Sequence, residues 1–202
     1  MNARNIFGKT LLLVAAVHIC ASASLFAQAK TYTVRKEDSH IDFAIYKWSV
    51  FKEEGRFKDF SGTVVYDPKN PTASRVEFTV MAKSIDSRND GRDSALRSEE
   101  FFYVKRYPTL SFRSTQVAAK GADTLLVTGD LTMRGVSKHI TIPVRVHGVN
   151  RVRNLGELAG FESMFTVNRE DFGIARGWDI ISKEATIHLM IGAASQVSST
   201  SL

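Results

Sequence analysis

Strict alternation of apolar and polar side chains dominates the hydrophobic pattern of this chain. Alternation of this kind is typical of β-strands that bury one face. It recurs in seven stretches, whose inward-facing positions begin at Ile41, Val76, Leu110, Leu125, Ile140, Phe161 and Ala185. Turn-forming residues separate these stretches. The sequence therefore predicts seven or eight amphipathic strands in an antiparallel barrel or sandwich.

Strand length favours the barrel. The stretches 124–134 and 139–147 are long, and a tilted barrel wall needs long strands. Arg134-Gly135 is predicted to form the tight turn between them. Pro143 lies inside the second stretch, and because proline has no backbone N–H it should mark an edge or a bulge.

The segment 89–108 (NDGRDSALRSEEFFYVKRYP), called the cap segment below, does not follow the strand pattern. It mixes charged and apolar residues and ends at Pro108, which predicts a short helical or irregular element. Ser98, followed by two glutamates, is interpreted as a helix N-cap. Phe101 and Phe102 are adjacent, so they point in different directions: one is predicted to plug a barrel end and the other to lie over the wall.

The N-terminus has the anatomy of an export signal. Arg4 and Lys9 precede a short apolar run, and Ala27-Gln28-Ala29 offers a small-residue cleavage site. The run is shorter than the roughly 20 residues that span a bilayer. We therefore expect a cleaved signal peptide over 1–29, a barrel domain over 30–193, a flexible tail over 194–202, and a soluble periplasmic or secreted product.

Charge and cysteine content narrow the classes of function. The formal net charge is +6, and +4 without residues 1–29, spread along the chain without clusters of basic and aromatic residues. This distribution argues against nucleic acid. Solubility is the favoured interpretation of the charge, and mild attraction to anionic lipid or diphosphate groups is left open. Cys20, the only cysteine, follows the bulky Ile19, so removal with the signal is favoured over lipidation. A monomer and a homodimer both remain open.

Few residues point to catalysis or metal binding. Four histidines of the expected mature chain fall on the polar faces of strands without metal-ligand spacing, which argues against a metal site: His40, His139, His147 and His188. No nucleophile elbow or nucleotide-binding glycine loop is present. A hydrolase or isomerase that uses Asp90, Asp93 or Glu170 is the weakest hypothesis, and the sequence predicts no enzyme and no cofactor.

Large inward-facing side chains are mostly phenylalanine, which suits both a packed core and a wall that faces hydrocarbon. The residues alone favour the packed core, because every domain needs one and few contain a lipid cavity.

Ordered motifs over nearly the whole expected mature chain resemble the YceI-like family. The motifs are Gly55-x-Phe57-x-x-Phe60-x-Gly62, Asn89-x-x-Arg92-Asp93-x-x-Leu96-Arg97-Ser98-x-x-Phe101-Phe102, Tyr107-Pro108-x-Leu110-x-Phe112-x-Ser114-Thr115, Gly129-Asp130-Leu131-Thr132-Met133-x-Gly135-Val136-x-Lys138 and Asn168-Arg169-x-Asp171-Phe172-Gly173-Ile174.

The resemblance implies an all-β fold, an eight-stranded antiparallel lipocalin-like barrel whose lumen holds a long-chain isoprenoid or similar amphiphilic lipid. It implies non-enzymatic binding, sequestration or transport of that lipid. Transient membrane contact is left open by the net positive charge and does not follow from the resemblance. The expected ligand-binding residues are Phe43, Phe78, Val80, Phe112, Leu131, Phe165, Leu189, Arg92, Asp93, Phe101 and Phe102. The alternative is an exported stress-response or protein-interaction module with a packed barrel and no lipid ligand.

Two details bear on the mouth of the predicted barrel. Arg92 and Asp93 either meet a polar lipid head or hold the backbone of the cap segment, and the second role is favoured. The chain departs from the family pattern at Asp38 and Lys47, where many members have histidine. The stretch 47–54 also lacks the glycine that is usual there, and it is predicted to border one mouth.

Overall fold

The computed structural model describes residues 29–153, 156–177 and 180–195. Within these residues one α-helix, α1 (Asp90–Arg97), accompanies ten strands: β1 (Lys30–Lys47), β2 (Phe51–Phe57), β3 (Phe60–Tyr66), β4 (Arg75–Met81), β5 (Ile85–Asp86), β6 (Thr109–Ala119), β7 (Thr124–Met133), β8 (Val136–Val152), β9 (Gly156–Asn168) and β10 (Ile181–Ser195). In these residues, no helix has the length and apolar character that crossing a membrane requires.

All strands belong to one antiparallel sheet that closes on itself. Its order is β10-β9-β8-β7-β6-β4-β3-β1-β2-β5, and pairing of β1 with β10 completes the ring. The strands β2 and β3 follow one another along β1, and β5 continues the line of β4. The wall therefore has eight strand positions, which confirms the predicted eight-stranded barrel.

The bend between β2 and β3 explains why the sequence pattern missed these strands. The inward-facing residues of β3 have even numbers (Phe60, Val64 and Tyr66). Those of β2 have odd numbers (Gly55 and Phe57). The residues 58–59 between them lie outside both strands, so the period of two breaks. Each half alternates correctly by itself, but neither half is long enough to stand out.

A second change of parity lies in β1. Its pairing with β10 shifts between Arg35 and His40, so that Tyr32 before the shift and Ile41 after it are both buried. Ser39 stabilises the irregularity: its hydroxyl donates to Arg35 O (2.6 Å) and accepts from the backbone N–H of Gly192 (3.0 Å). Such a bulge bends the strand and lets it follow the barrel wall.

The predicted features of β7 and β8 are confirmed. Arg134 and Gly135 join the strands with positive φ values of 51° and 76°, the conformation of a two-residue type I′ hairpin turn. Pairing of β8 with β9 begins only at Arg145, so Pro143 lies beside an unpaired stretch of the strand, as expected of an edge position. The Ser163 hydroxyl donates to the carbonyl of Pro143 (2.6 Å).

The cap segment contains α1, but the predicted helix start at Ser98 is wrong. Asn89 is the N-cap, because its side-chain oxygen accepts from the backbone N–H of Arg92 (2.9 Å), and Ser98 is the C-cap. The acidic residues in the first turn are Asp90 and Asp93. The two glutamates after Ser98 follow the helix rather than begin one.

The described residues cover nearly all of the predicted barrel domain but little of the predicted signal peptide and tail. The barrel extends to Ser195, which pairs with Tyr32, two residues beyond the expected boundary at 193. The predicted signal peptide lies outside the described residues, apart from its last residue, Ala29, and so does the remainder of the predicted tail.

Candidate functional site

The barrel encloses an apolar cavity of about 160 Å³. Side chains from all eight wall positions line it, and they include every predicted wall residue: Phe43, Phe78, Val80, Phe112, Leu131, Phe165 and Leu189. Cavities of roughly 150 Å³ with apolar linings stay dry and accept small apolar molecules. The lumen is therefore suited to hydrocarbon rather than to water.

The cavity follows the barrel axis. Its lining begins with Tyr66 and Phe161 at the end where β1 starts, called the lower end, and reaches Met133 and Val167 at the opposite, upper end. At ~3.3 Å per residue and with the usual tilt of barrel strands, the part of β7 that lines it spans about 20 Å along the axis. The lining therefore extends along the axis, as an elongated ligand requires.

Glycines opposite phenylalanines keep the lumen open. Gly55 pairs directly with Phe43, and Gly62 pairs with Phe78. A Cβ added to Gly62 would lie 2.6 Å from Cδ2 of Phe78, so the ring occupies the space that a side chain would fill. The rings consequently lie against the wall instead of projecting across the cavity.

Gly129 on β7 differs from these pairs, because its cross-strand partner is Ser114. A Cβ there would meet the Cα of Ser114 at 2.7 Å and Cζ of Phe112 at 2.8 Å, so both the neighbouring backbone and the ring approach closely. The alternation of apolar and polar residues placed the phenylalanines on the wall but assigned the glycines no part in the site. The sequence does show a glycine at an inward-facing strand position. That glycine can be assigned to the site only when the residue opposite it on the neighbouring strand is known.

Aromatic side chains close the lower end. Tyr32 is fully buried, and Tyr66 meets Phe161 edge to face with ring centroids 5.7 Å apart. The Tyr32 hydroxyl donates to Glu157 (3.1 Å), which also pairs with Lys30 (2.7 Å). Burial, and then the hydrogen bond to Glu157, raises the pKa of Tyr32 to about 12, so the phenol is neutral at physiological pH.

The cap segment closes the upper end through Phe102. Its ring packs on the side chains that line the lumen and on a second cluster formed by Met133, Val167, Phe172 and Ile174. Phe101 packs only against the second cluster. Neither phenylalanine lies among the described residues that line the cavity. That either one binds a ligand stays a prediction.

Arg92 and Asp93 hold the cap segment in place. The Arg92 guanidinium forms an ion pair with Glu53 on β2 and donates to the hydroxyl (2.8 Å) and the carbonyl (2.7 Å) of Ser87. Asp93 is buried and accepts from the backbone N–H (2.8 Å) and the hydroxyl (2.5 Å) of Ser87. Neither residue is among the described lining residues, and a ligand contact for them stays a prediction.

Arg169, which the sequence placed in a turn, organises the loop between β9 and β10. It is buried and donates to four carbonyls, those of Ile174 (2.5 Å), Ser182 (2.9 Å), Arg176 (3.0 Å) and Ile181 (3.1 Å). Burial lowers the pKa of its guanidinium. A buried cation that donates to several carbonyls satisfies the backbone of a long loop, which is a structural role.

The carboxylates considered for catalysis are not assembled into one site. Asp90 is exposed in the first turn of α1, and Glu170 pairs with Lys183 (3.1 Å) at the surface. Two histidines, His147 and His188, bond to Glu162 on the outer wall at 2.9 and 3.2 Å. Within residues 29–153, 156–177 and 180–195, no three His, Cys, Asp or Glu side chains converge to hold a metal ion.

One buried polar atom near the lumen has no partner. Ser74, the residue before β4, belongs to the lining, but its hydroxyl is buried behind apolar atoms and has no hydrogen-bond partner in the described part of the protein. An unsatisfied buried hydroxyl costs free energy.

The fold and the lumen together define a closed antiparallel β-barrel with an elongated apolar interior. The chain belongs to the YceI-like family, because the family model for the YceI-like domain matches residues 32–193. A UPF0312 protein of Pseudomonas aeruginosa is 38% identical over 171 residues, covering 82% of this chain and 87% of that protein. Protein YceI of Salmonella newport is 36% identical over 172 residues, covering 84% and 90%.

Solved structures share the barrel. The crystal structure of Burkholderia cenocepacia BcnA has a TM-score of 0.73 at 25% identity, covering 79% of this chain and 99% of that one. The Campylobacter jejuni YceI protein has a TM-score of 0.64 at 27% identity, covering 71% and 85%. A polyisoprenoid-binding domain from Saccharophagus degradans has a TM-score of 0.63 at 16% identity, covering 82% and 98%, a likeness of fold alone.

Proposed function

We propose that this protein is a non-enzymatic binding protein that sequesters or transports a long-chain isoprenoid or related amphiphilic lipid in the barrel lumen. The observation that carries the proposal is the cavity, which is apolar and elongated and is lined from all eight wall positions. Membership of the YceI-like family and the polyisoprenoid-binding domain with the same fold support it.

The energetics favour a chain-like ligand. Each methylene group that moves from water into an apolar lumen contributes about 0.8 kcal/mol. A long chain therefore binds tightly without a charged anchor. The wall phenylalanines present large apolar areas with no polar atoms to satisfy.

The alternative hypothesis, a packed barrel, requires an interior without a cavity. A stress-response or protein-interaction module needs inward side chains that interdigitate without a void. The lumen of about 160 Å³ and the rings held against the wall by Gly55 and Gly62 favour the lipid-binding hypothesis.

The first test is direct. The purified protein is extracted with organic solvent and the extract is analysed by mass spectrometry, and the delipidated protein is titrated with a polyprenol of defined length. We expect a bound lipid or saturable uptake at one site. A protein that is purified without lipid and also fails to take up polyprenols would contradict the proposal.

A matched pair of variants ties uptake to the lumen. Val80 lines the cavity, and its neighbour Thr79 on the same strand is exposed on the outer face. Val80→Phe should weaken polyprenol binding about tenfold or more, since over-filling the lumen competes with the ligand. Thr79→Phe adds the same ring outside and should bind as the wild type does. Equal binding by both variants would place the lipid elsewhere.

We further propose that the protein acts in the periplasm or outside the cell, after signal cleavage near Ala29. Its support is the order of basic residues, apolar run and small residues in 1–29. Intact mass analysis of protein exported by a bacterial host tests it: a mature chain that begins at Lys30 is expected. A lipid-modified Cys20 at the N-terminus, or an uncleaved chain, would contradict it.

A further inference from the structure

The turn between β1 and β2 carries the largest group of exposed apolar side chains in the described part of the chain. The exposed fractions are 56% for Trp48, 72% for Val50, 59% for Phe51 and 43% for Tyr46. Trp48 and Phe51 touch edge to face, with ring centroids 6.2 Å apart. These residues, 46–51, are called the aromatic tip below.

The backbone of the aromatic tip is unfavourable for the residues that it holds. Trp48 and Ser49 have φ values of 50° and 57°, and the N–H of Val50 bonds to the carbonyl of Lys47 (3.2 Å). A β-turn whose two central residues both have positive φ normally takes Asn-Gly or Gly-Gly there, because a side chain in the left-handed region is strained. Folding alone would favour glycine at Trp48, so the exposed indole needs another explanation.

The charges beside the aromatic tip are basic. From Tyr46 to Lys52 the chain has two lysines and no acidic residue. The Lys47 ammonium lies 4.3 Å from the centre of the Trp48 ring. The acidic residues that follow are held in ion pairs, Glu53 with Arg92 and Glu54 with Lys52 (2.6 Å). Tryptophan next to lysine is the combination that favours the headgroup region of a bilayer.

The aromatic tip lies at the upper end of the barrel, beside the cap segment. The backbone N–H of Trp48 bonds to the carbonyl of Ile180, in the loop before β10 (2.7 Å). Glu53, just after the tip, forms the ion pair with Arg92 of α1. A surface that met the aromatic tip would therefore also meet the end of the barrel that Phe102 closes.

We propose that the aromatic tip docks this protein on phospholipid bilayers that contain anionic headgroups, with Trp48, Val50 and Phe51 in the interfacial layer and Lys47 at the phosphates. The surface is too small for a stable protein complex, which takes roughly 20 to 30 residues from each partner. It protrudes at the end of a hairpin, whereas a bilayer accepts a few inserted side chains without a shaped partner.

Vesicle co-sedimentation tests the docking surface independently of the barrel cargo, because the vesicles contain no polyprenol. The wild-type protein is mixed at low salt with vesicles of phosphatidylcholine alone and with vesicles that contain phosphatidylglycerol. We expect binding to the second kind that weakens as salt is raised. A wild-type protein that stays in the supernatant with both kinds would overturn the proposal.

The variants separate the aromatic tip from general hydrophobicity. Trp48→Gly combined with Phe51→Ser should lower the partition coefficient about tenfold or more, while thermal unfolding shows a fold that is kept, since glycine suits the turn. Met164→Ser, which removes an apolar side chain that is 60% exposed on the outer wall, is the control and should bind as the wild type does.

Three results would overturn the assignment. They are unchanged vesicle binding by the double variant, an equal loss in Met164→Ser, and self-association of the wild type in sedimentation equilibrium that the double variant abolishes. The last result would assign the aromatic tip to contact between two copies of the chain.

Discussion

The rings of Phe57 and Phe102 meet edge to face, with centroids 5.8 Å apart and planes at 88°. Phe57 lines the lumen from β2, and Phe102 comes from the cap segment, so this contact joins the closure of the barrel to its wall. The upper end is thus covered by an aromatic pair, and the ion pair of Arg92 with Glu53 holds the cap segment that supplies one of the two rings.

Phe102→Ala should open the upper end. We expect the free energy of unfolding to fall by about 3 kcal/mol, because a large aromatic side chain leaves a cavity, and bound polyprenol to dissociate faster. Urea unfolding and the release of a fluorescent polyprenol analogue measure the two effects. Phe101→Ala is the control: it should lower stability with an unchanged release rate. Equal release from both variants would mean that Phe102 does not gate the lumen.

Gly62→Ala should narrow the lumen. The new Cβ would lie 2.6 Å from Cδ2 of Phe78 and 2.7 Å from the carbonyl oxygen of Glu77. The ring is the softer of these neighbours and should swing inward, at a cost to stability of about 1–3 kcal/mol. Polyprenol titration should show weaker binding. In Gly160→Ala the nearest atom lies at 3.4 Å, so binding should be unchanged; if Gly62→Ala also binds normally, the glycine does not hold the ring aside.

Arg92→Ala should leave lipid head discrimination unchanged. The guanidinium already donates to Ser87 at two atoms and pairs with Glu53, so its donors are used in tying the cap segment to Ser87 and to β2. We expect the affinity ratio between a polyprenyl phosphate and the matching polyprenol to be the same in wild type and variant. A selective loss of phosphate affinity would instead assign Arg92 to the head group.

Asp93→Ala should destabilise the protein more than Asp90→Ala. The buried Asp93 carboxylate accepts two hydrogen bonds from Ser87, and its removal leaves buried donors unpaired, at a cost of about 2–4 kcal/mol. Asp90 is exposed, and its loss removes only a favourable charge near the helix N-terminus, worth about 0.5 kcal/mol. Urea unfolding of both variants measures the difference. Similar midpoints would mean that Ser87 finds other partners.

The lower end should lose stability in alkali. The pKa of Tyr32 is raised to about 12 from an ordinary value near 10, so its contribution is complete below pH 10 and is lost as the pH rises toward 12. At pH 11 the wild type should have lost roughly 1 kcal/mol through this group. The comparison is with Tyr32→Phe, whose unfolding free energy should fall less between pH 9 and pH 11. Parallel pH profiles would contradict this role of Tyr32.

Glu157, the partner of Tyr32 in this contact, should change stability with pH in the opposite direction. The hydrogen bond from Lys30, followed by that from Tyr32, lowers the pKa of Glu157. Its contribution is therefore present above the ordinary carboxyl pKa and is lost as the pH falls through the lowered value. The contact at the lower end is thus most stable between the two titrations.

The sequence by itself determined which face of each long strand turns inward. Alternation has a period of two and is a local property, so Phe43, Phe78 and Phe112 could be placed on the wall without any knowledge of strand pairing. The turn at Arg134-Gly135 and the break at the cap segment were equally local, because turn chemistry and the loss of alternation are visible within a few residues.

Only the tertiary structure decided whether the inward faces pack or leave a lumen. The answer depends on which glycine lies opposite which phenylalanine, as in Gly62 and Phe78, and on the summed volume of side chains from eight wall positions. The tertiary structure also decided that the Arg92 guanidinium binds Ser87 and Glu53. It decided that Phe102, and not Phe101, packs against the wall. These are contacts between residues far apart in the chain, and a period of two carries no information about them.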